Sequence, residues 1–407
     1  MDLSLLKTLF FTKTSRGWGS PLLFWGPPGV GKTGILESFA QCLTINGEPM
    51  HVETLSPGEA GEGAFGVVPV PLDKGGVSYI TYPEPWWIQN FKGDESDGGP
   101  GGRGMVFLDE LSSAPPALHP PLLGLIHAGR IGGAKLPGRT RIIGAANPPE
   151  LAAAGFDLAP PVANRLGHME WAPPSVGQWT DYMLAQGGGA SSNMVTIDIV
   201  AEEQRVDAAW AGAYAKAAGL VTAFLRSRAQ HLHAMPKAGA AYLDAMRWPS
   251  HRSWSNATNA FASSIVQGTA SMYRDRLIAA YVGQGISEEF ANWTATADLP
   301  DPDEVMDGKI TFKHEPHRLD RTLALSSSMA ASLLGDDNAG RRQVRSDAFW
   351  RFIGQMADQS ATDLVIPGVG AILRAETAKP ELRLSTTREG NAAISKIAPH
   401  MKAAGRI

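Results

Sequence analysis

Apolar residues run in short unbroken blocks through the first 175 positions and recur at helical spacing beyond them. Pro21-Leu22-Leu23-Phe24-Trp25, Met105-Val106-Phe107-Leu108 and Arg141-Ile142-Ile143-Gly144-Ala145-Ala146 are the clearest blocks. Continuous rather than alternating runs are what strands buried on both faces of a parallel sheet require. His51 to Leu55 and His168 to Trp171 read as two further strands. Between the first two strands, Ile35, Leu36, Phe39, Ala40 and Leu43 recur at helical spacing, which predicts an amphipathic helix. From Gln178 onward the pattern is mainly helical, over Trp179 to Leu184, Val200 to Leu232 and Asn256 to Val282. Gly187 to Ser192 and Asp298 to Asp303 read as loops, and Asp94 to Gly104, rich in Gly and Asp, as a mobile one. The expectation is an α/β unit followed by helices.

The turn between the first strand and its helix carries chemistry. Gly26-Pro27-Pro28-Gly29-Val30-Gly31-Lys32-Thr33 satisfies G-x-x-x-x-G-K-[ST] at every fixed position, with Gly34 following. Glycines let successive N–H groups turn inward as an anion-binding nest, and the helix N-terminus behind them favours negative charge. Lys32 would reach the β- and γ-phosphates of a nucleotide, and the Thr33 hydroxyl would ligate Mg²⁺.

Two more strand ends are polar. The second block closes on Asp109-Glu110, at the carboxyl end where open α/β sheets place ligands. Asp109 would hold the Mg²⁺ shell, and Glu110 would orient and polarise an attacking water. The third block ends at Asn147, before Pro148 and Pro149. Its amide either hydrogen-bonds the γ-phosphate or the attacking water, or it only starts a turn. Ala163-Asn164-Arg165-Leu166 then reads as a short helix entering the strand at His168.

This succession of phosphate loop, Asp-Glu strand end, Asn strand end and Arg-Leu pair resembles an AAA+ ATPase core. The similarity is to the MoxR-like branch, with its magnesium-chelatase and dynein-related members. It covers residues 20–175 well and 176 to about 310 less fully. The resemblance implies a P-loop αβα sandwich around a parallel sheet in residues 1–175. An α-helical lid over 176–297 and a helical C-terminal extension over 298–407 would follow. It implies Walker A, Walker B and sensor 1 roles for the loop, for Asp109-Glu110 and for Asn147. Arg165 would be the arginine finger reaching a neighbouring subunit's site. Arg252, in Trp248-Pro249-Ser250-His251-Arg252, falls at the sensor 2 position, with His251 where relatives carry proline; the alternative is a surface arginine at a helix start. Activity would be Mg²⁺-dependent ATP hydrolysis by a ring, most often a hexamer. The work would be chaperone-like remodelling or maturation of a protein client, with a von Willebrand A domain protein as a typical partner. The alternatives are a nucleic-acid translocase or restriction-type motor and a slow nucleotide-gated scaffold.

The 77 residues from Lys32 to Asp109 exceed what the core needs. Val67 to Val70 and Val77 to Tyr82 flank Asp73-Lys74-Gly75-Gly76 and predict a hairpin, with Pro69 and Pro71 marking an edge. Relatives carry an insertion in the second helix at a comparable place. Phe65 and the hairpin tip then either grip a client or pack on their own core. Trp86 and Trp87 follow, more in keeping with packing than with recognition. A second hairpin is expected at Arg130 to Arg141. Arg130, Lys135, Arg139 and Arg141 make it basic, either to touch an acidic partner or as a solvated face.

Composition narrows the partners. A net charge of −4 over 407 residues offers no general nucleic-acid footprint. The single cysteine, Cys42, makes no internal disulfide, in keeping with a cytoplasmic protein. Leu3 to Phe11, interrupted by Lys7 and lacking a cleavage site, reads as part of the fold rather than a leader. No run is long enough to span a membrane, and no cysteine–histidine spacing makes a zinc site. The polar, basic tail from Ala378 to Ile407 has the character of a docking arm.

Overall fold

The computed structural model describes residues 3–66, 68–93, 101–151, 155–187, 196–236, 242–297, 299–336 and 338–403. Most of the loops expected at Asp94–Gly104 and Gly187–Ser192 lies outside those residues, as do Val67, Asp298 and the last four residues of the tail. The chain forms two compact units. One holds residues 1–204, 235–260 and 269–284; the other holds 205–234, 261–268 and 285–407.

In the first unit, five strands make one parallel sheet: β1 (Leu22–Trp25), β2 (Val52–Leu55), β3 (Gly104–Leu108), β4 (Thr140–Ala146) and β5 (Gly167–Glu170). Their order across the sheet is β5-β1-β4-β3-β2. The three central strands are buried at every position, which explains their unbroken apolar runs. The chain leaves β1 toward one edge of the sheet and leaves β4 toward the other. Their shared carboxyl end is therefore a topological switch point, where a crevice opens. Registry is level there: Trp25 pairs with Ala146 on one side and Glu170 on the other.

α1 (Leu3–Phe10) and α2 (Lys32–Gln41) precede and follow β1, and α3 (His119–Ala128) lies between β3 and β4. Leu122, Leu125 and Ile126 of α3 join Leu23, Trp25, Val106 and Ile142 in one core cluster. Phe65 and Trp87 are fully buried in the same cluster. Phe65 is therefore packing and not a gripping residue; burying such a ring contributes about 1.5–3 kcal/mol. Its neighbouring hairpin, Val70–Lys74 paired with Val77–Thr81, forms as the Gly75-Gly76 turn predicts. It stays open to solvent, with Ile80 71% and Val77 62% exposed. The adjacent tryptophans divide: Trp86 is 68% exposed and Trp87 is 0%. The second hairpin is only Arg130–Ile131 against Ala134–Lys135.

Arg141 does not belong to that basic face. It is fully buried on β4, and its Nη2 donates to Glu203 Oε1 at 2.6 Å. Arg103, just before β3, donates through Nε to Glu203 Oε2 at 2.9 Å. Glu203 rides on α4 (Ile199–Ser227), so one carboxylate ties that helix to the amino ends of two central strands. The Arg141 guanidinium also lies over the Phe10 ring, 4.2 Å from its centroid. Burial pulls its pKa down to about 10, against the raising effect of Glu203.

The stretch expected as one helix over Asn256–Val282 is two, α5 (His251–Gln267) and α6 (Ser271–Val282). Gly268 separates them at φ +63°, a left-handed conformation that ends a helix. In the second unit the main helices are α7 (Gln284–Thr296), α8 (Leu319–Gly335), α9 (Ala339–Asp358), α10 (Thr362–Ala378) and α11 (Arg388–Ala403). α8 and α10 cross closely at small residues: a Cβ on Gly368 would sit 2.7 Å from the Ser326 carbonyl oxygen. Arg345 of α9 clamps this unit through Asp307 at 2.9 Å and Asp303 at 3.0 Å. Among the described residues no helix is long and apolar enough to cross a membrane.

Removing Glu203 would take the shared carboxylate away from two buried guanidinium groups. Glu203→Ala is expected to cost about 3–5 kcal/mol of unfolding free energy in urea titrations. A loss below about 1 kcal/mol would show that the cluster contributes no more than an exposed pair.

Candidate functional site

The loop between β1 and α2 adopts the conformation that its glycines permit. Gly29 and Gly31 have φ of +78° and +81°, and a Cβ at either would meet nothing within 4 Å. The loop therefore faces open space, and its glycines are set by backbone conformation alone. Gly31 caps α2 with no side-chain hydrogen bond, so the first-turn N–H groups are not claimed by a capping side chain.

Lys32, the first residue of α2, is 8% exposed. Its ammonium donates to the carbonyls of Gly26 at 2.8 Å and Pro27 at 2.9 Å, and to Asn147 Oδ1 at 2.8 Å. Desolvation lowers its pKa, while the charges of Asp109 and Glu110 act to raise it. The Thr33 hydroxyl donates to Asp109 Oδ2 at 2.8 Å. The other Asp109 oxygen accepts the Glu110 N–H at 2.9 Å. Sequence reasoning gave no sign of the backbone at Glu110, which is left-handed with φ +51°. That conformation starts the turn Leu111–Ser113 and leaves the Glu110 side chain exposed beside the loop.

These groups line one open cleft of about 330 Å³, bounded by the loop from Pro28 to Gly34, by Asp109 and Glu110, and by Ala146 and Asn147. A cradle of backbone N–H groups with a lysine at its floor suits a phosphate chain. Thr33 and Asp109 are hard oxygen donors, the kind Mg²⁺ takes in ones and twos alongside phosphate oxygens. Among the described residues no cluster of three or more His, Cys, Asp or Glu offers a self-contained metal site.

Arg165 and Arg252 do not line this cleft. They lie together instead. Arg165 follows the helical turn Pro160–Ala163 and donates through Nη1 to the Pro161 carbonyl at 2.6 Å. Arg252, near the start of α5, donates to Asn164 Oδ1 at 3.3 Å, which also accepts from Ser250 Oγ at 3.1 Å. The two guanidinium charges lower the pKa of His127 on α3, after burial as the larger cause.

A buried histidine stands behind both regions. His168 of β5 accepts the Trp25 indole N–H on Nδ1 at 2.9 Å, and its Nε2 meets the Ala163 carbonyl at 2.9 Å. No spacing rule announces this pair, because it forms across two strands 143 residues apart. Burial pushes the His168 pKa down to about 4.

No protein-family model matches the chain, and no curated protein matches it. Among solved structures it is similar to a protein from Cytophaga hutchinsonii described as a "putative ATPase". That likeness has 11% identity and a TM-score of 0.43, over 71% of this chain and 86% of that one. Such a likeness fixes neither family nor activity, and the chemistry rests on the residues of the cleft.

His168 makes stability depend on pH. Its imidazole protonates at about 4 when folded, against 6.5 ordinarily, so the unfolded chain binds the extra proton between those values. The contribution is complete above about pH 6.5 and declines as pH falls toward 4. His168→Gln, which has no such titration, is expected to lose less stability across this interval than the wild type, by up to about 3 kcal/mol. Parallel urea titrations at both ends of the interval measure it, and identical pH slopes would refute it.

Proposed function

We propose that the chain is a Mg²⁺-dependent ATP hydrolase of the AAA+ type, similar to the MoxR-like branch. It would work as a ring, a hexamer by that likeness, in the cytoplasm. The observation that carries this reading is the pairing of Lys32 with Asn147 and of Thr33 with Asp109, each at 2.8 Å, in one cleft. Both pairs join the phosphate loop to the end of a different central strand.

Each residue then has a separable task. The N–H groups from Gly29 to Thr33 receive the phosphates, and Lys32 exchanges its carbonyl partners for phosphate oxygens. Thr33 and Asp109 would hold Mg²⁺, which would supply positive charge against the charge developing on the phosphates. Glu110, exposed beside the loop, aligns water for in-line attack. Asn147 donates its amide N–H to the γ-phosphate or to that water. Arg165 serves a neighbouring subunit's cleft, and Arg252, held on Asn164 beside it, belongs to the same surface. An arginine supplied in this way can contribute about 10³ to 10⁵ in rate.

In this reading residues 1–175 are the ATPase core, 176–297 the lid and 298–407 a helical extension. The output is remodelling or maturation of a protein client, with a von Willebrand A domain protein as the partner class. The exposed hairpin at Val70–Thr81 is the element best placed for such contacts.

Glu110→Gln is expected to bind ATP with near wild-type affinity and to lose at least about 10²-fold in turnover, because only water activation is removed. Equilibrium binding beside single-turnover hydrolysis measures both, and wild-type turnover would remove Glu110 from the mechanism. Lys32→Ala and Arg165→Ala subunits are each expected to be nearly inactive alone. Mixed, they should regain activity, since an intact arginine then faces an intact loop. Verified co-assembly without recovery would count against a shared site.

A further inference from the structure

Trp25 closes β1, one residue before the phosphate loop begins, and is 2% exposed. Its indole is nearly parallel to the His168 ring, with centroids 6.0 Å apart and 21° between planes. An indole nitrogen can only donate, so the His168 Nδ1 at 2.9 Å must accept. The imidazole proton is thereby fixed on Nε2, which donates to the Ala163 carbonyl at 2.9 Å. No freedom of tautomer remains.

Ala163 ends the turn Pro160–Ala163, Asn164 caps it, and Arg165 comes next. Arg165 is hydrogen-bonded within that turn, to Pro161, and Arg252 is bonded to its cap, Asn164. A shift of the turn would carry Arg165 with it and move the oxygen that Arg252 and Ser250 share. The 0% exposed His168 could be replaced in volume by an apolar residue, with no ring nitrogens to desolvate. Only a group that accepts on one side and donates on the other can join the indole to the carbonyl.

Resting on the ATP-hydrolysis reading above, we infer that His168 is a positioning residue. Through Trp25 it ties the turn bearing Arg165, and with it the Arg252 contact, to the end of the phosphate-loop strand. It touches no substrate and acts only through where those arginines stand.

The test uses the full chain as wild type, His168→Phe and His168→Gln, each with and without Arg165→Ala. Phenylalanine keeps a ring and loses both hydrogen bonds; glutamine can still accept from the indole and donate to the carbonyl. His168→Phe is expected to lower kcat about tenfold or more while nucleotide affinity stays within about twofold. In the ligand-free protein it should speed amide hydrogen exchange across residues 162–168. In the Arg165→Ala background the same change should lower kcat by much less than in the wild type, leaving only the part that passes through the Arg252 contact. Glutamine should restore most of the turnover and the protection. Losses that multiply, an affinity that falls with kcat, or unchanged exchange would overturn the inference. An assembled wild type that binds or hydrolyses no ATP would overturn the hydrolysis reading itself and this inference with it. Normal wild-type turnover without the coupling overturns only the role of His168. Should His168→Phe fail to fold, Trp25→Phe, which removes the indole donor together with part of the buried ring, is judged by the same turnover, affinity and exchange outcomes.

Discussion

The level pairing of β1 with β4 is the constraint from which the cleft follows. Trp25 and Ala146 stand opposite each other, and the Gly26 N–H reaches the Ala146 carbonyl at 3.2 Å just beyond them. Lys32 and Asn147, 115 residues apart in sequence, meet only because that register holds. A slip of one residue would turn every side chain of β1 to the opposite face. Both strands are buried throughout, so a slip would also break the packing of Leu23, Trp25 and Ile142 in the core. Site geometry is thus a consequence of how the sheet excludes water.

The same sheet sustains two local costs at its carboxyl edge. Glu110 occupies a left-handed conformation, which costs a non-glycine residue about 1–2 kcal/mol. Lys32 gives up most of its hydration and recovers it through three oxygen acceptors. Neither arrangement would be chosen by the residue alone. Conflicts of this kind between local preference and global fold concentrate where function resides. Here both fall within the cleft and on the two residues with the most demanding chemistry.

Much of this was legible in the chain, for physical reasons particular to each element. Central strands of a parallel sheet must be apolar on both faces, so β1, β3 and β4 show themselves as runs. The phosphate loop shows itself because glycines at fixed spacing have few other uses. The Gly75-Gly76 turn gave away its hairpin in the same way. Features decided by distant partners were not legible. In sequence Phe65 stands between gripping a client and packing, and Arg141 reads as part of a basic face, yet the core takes the first and Glu203 the second. Trp86 and Trp87 are indistinguishable in sequence and opposite in burial. The Trp25–His168 pair depends on β5 lying beside β1, which no local pattern encodes. The division of α5 from α6 could have been found, since Gly268 marks it.

Charge at the cleft is unevenly divided. Among the described residues that line it, Lys32 is the one cation, facing the carboxylates of Asp109 and Glu110. A phosphate chain entering there adds negative charge to a site already short of positive charge. In the proposed reaction Mg²⁺ held by Thr33 and Asp109 would correct part of that balance, and transfer of the γ-phosphoryl group would demand more as charge shifts onto the leaving oxygen. Yet Arg165 and Arg252, the two arginines expected to supply it, line a different place. Lys32 cannot substitute for them, since one ammonium cannot follow charge developing at both ends of the transferred group. For the proposed hydrolysis, a cleft with this charge balance would need a further cation from outside it. In the ring proposed above, Arg165 of a neighbouring copy would meet that need.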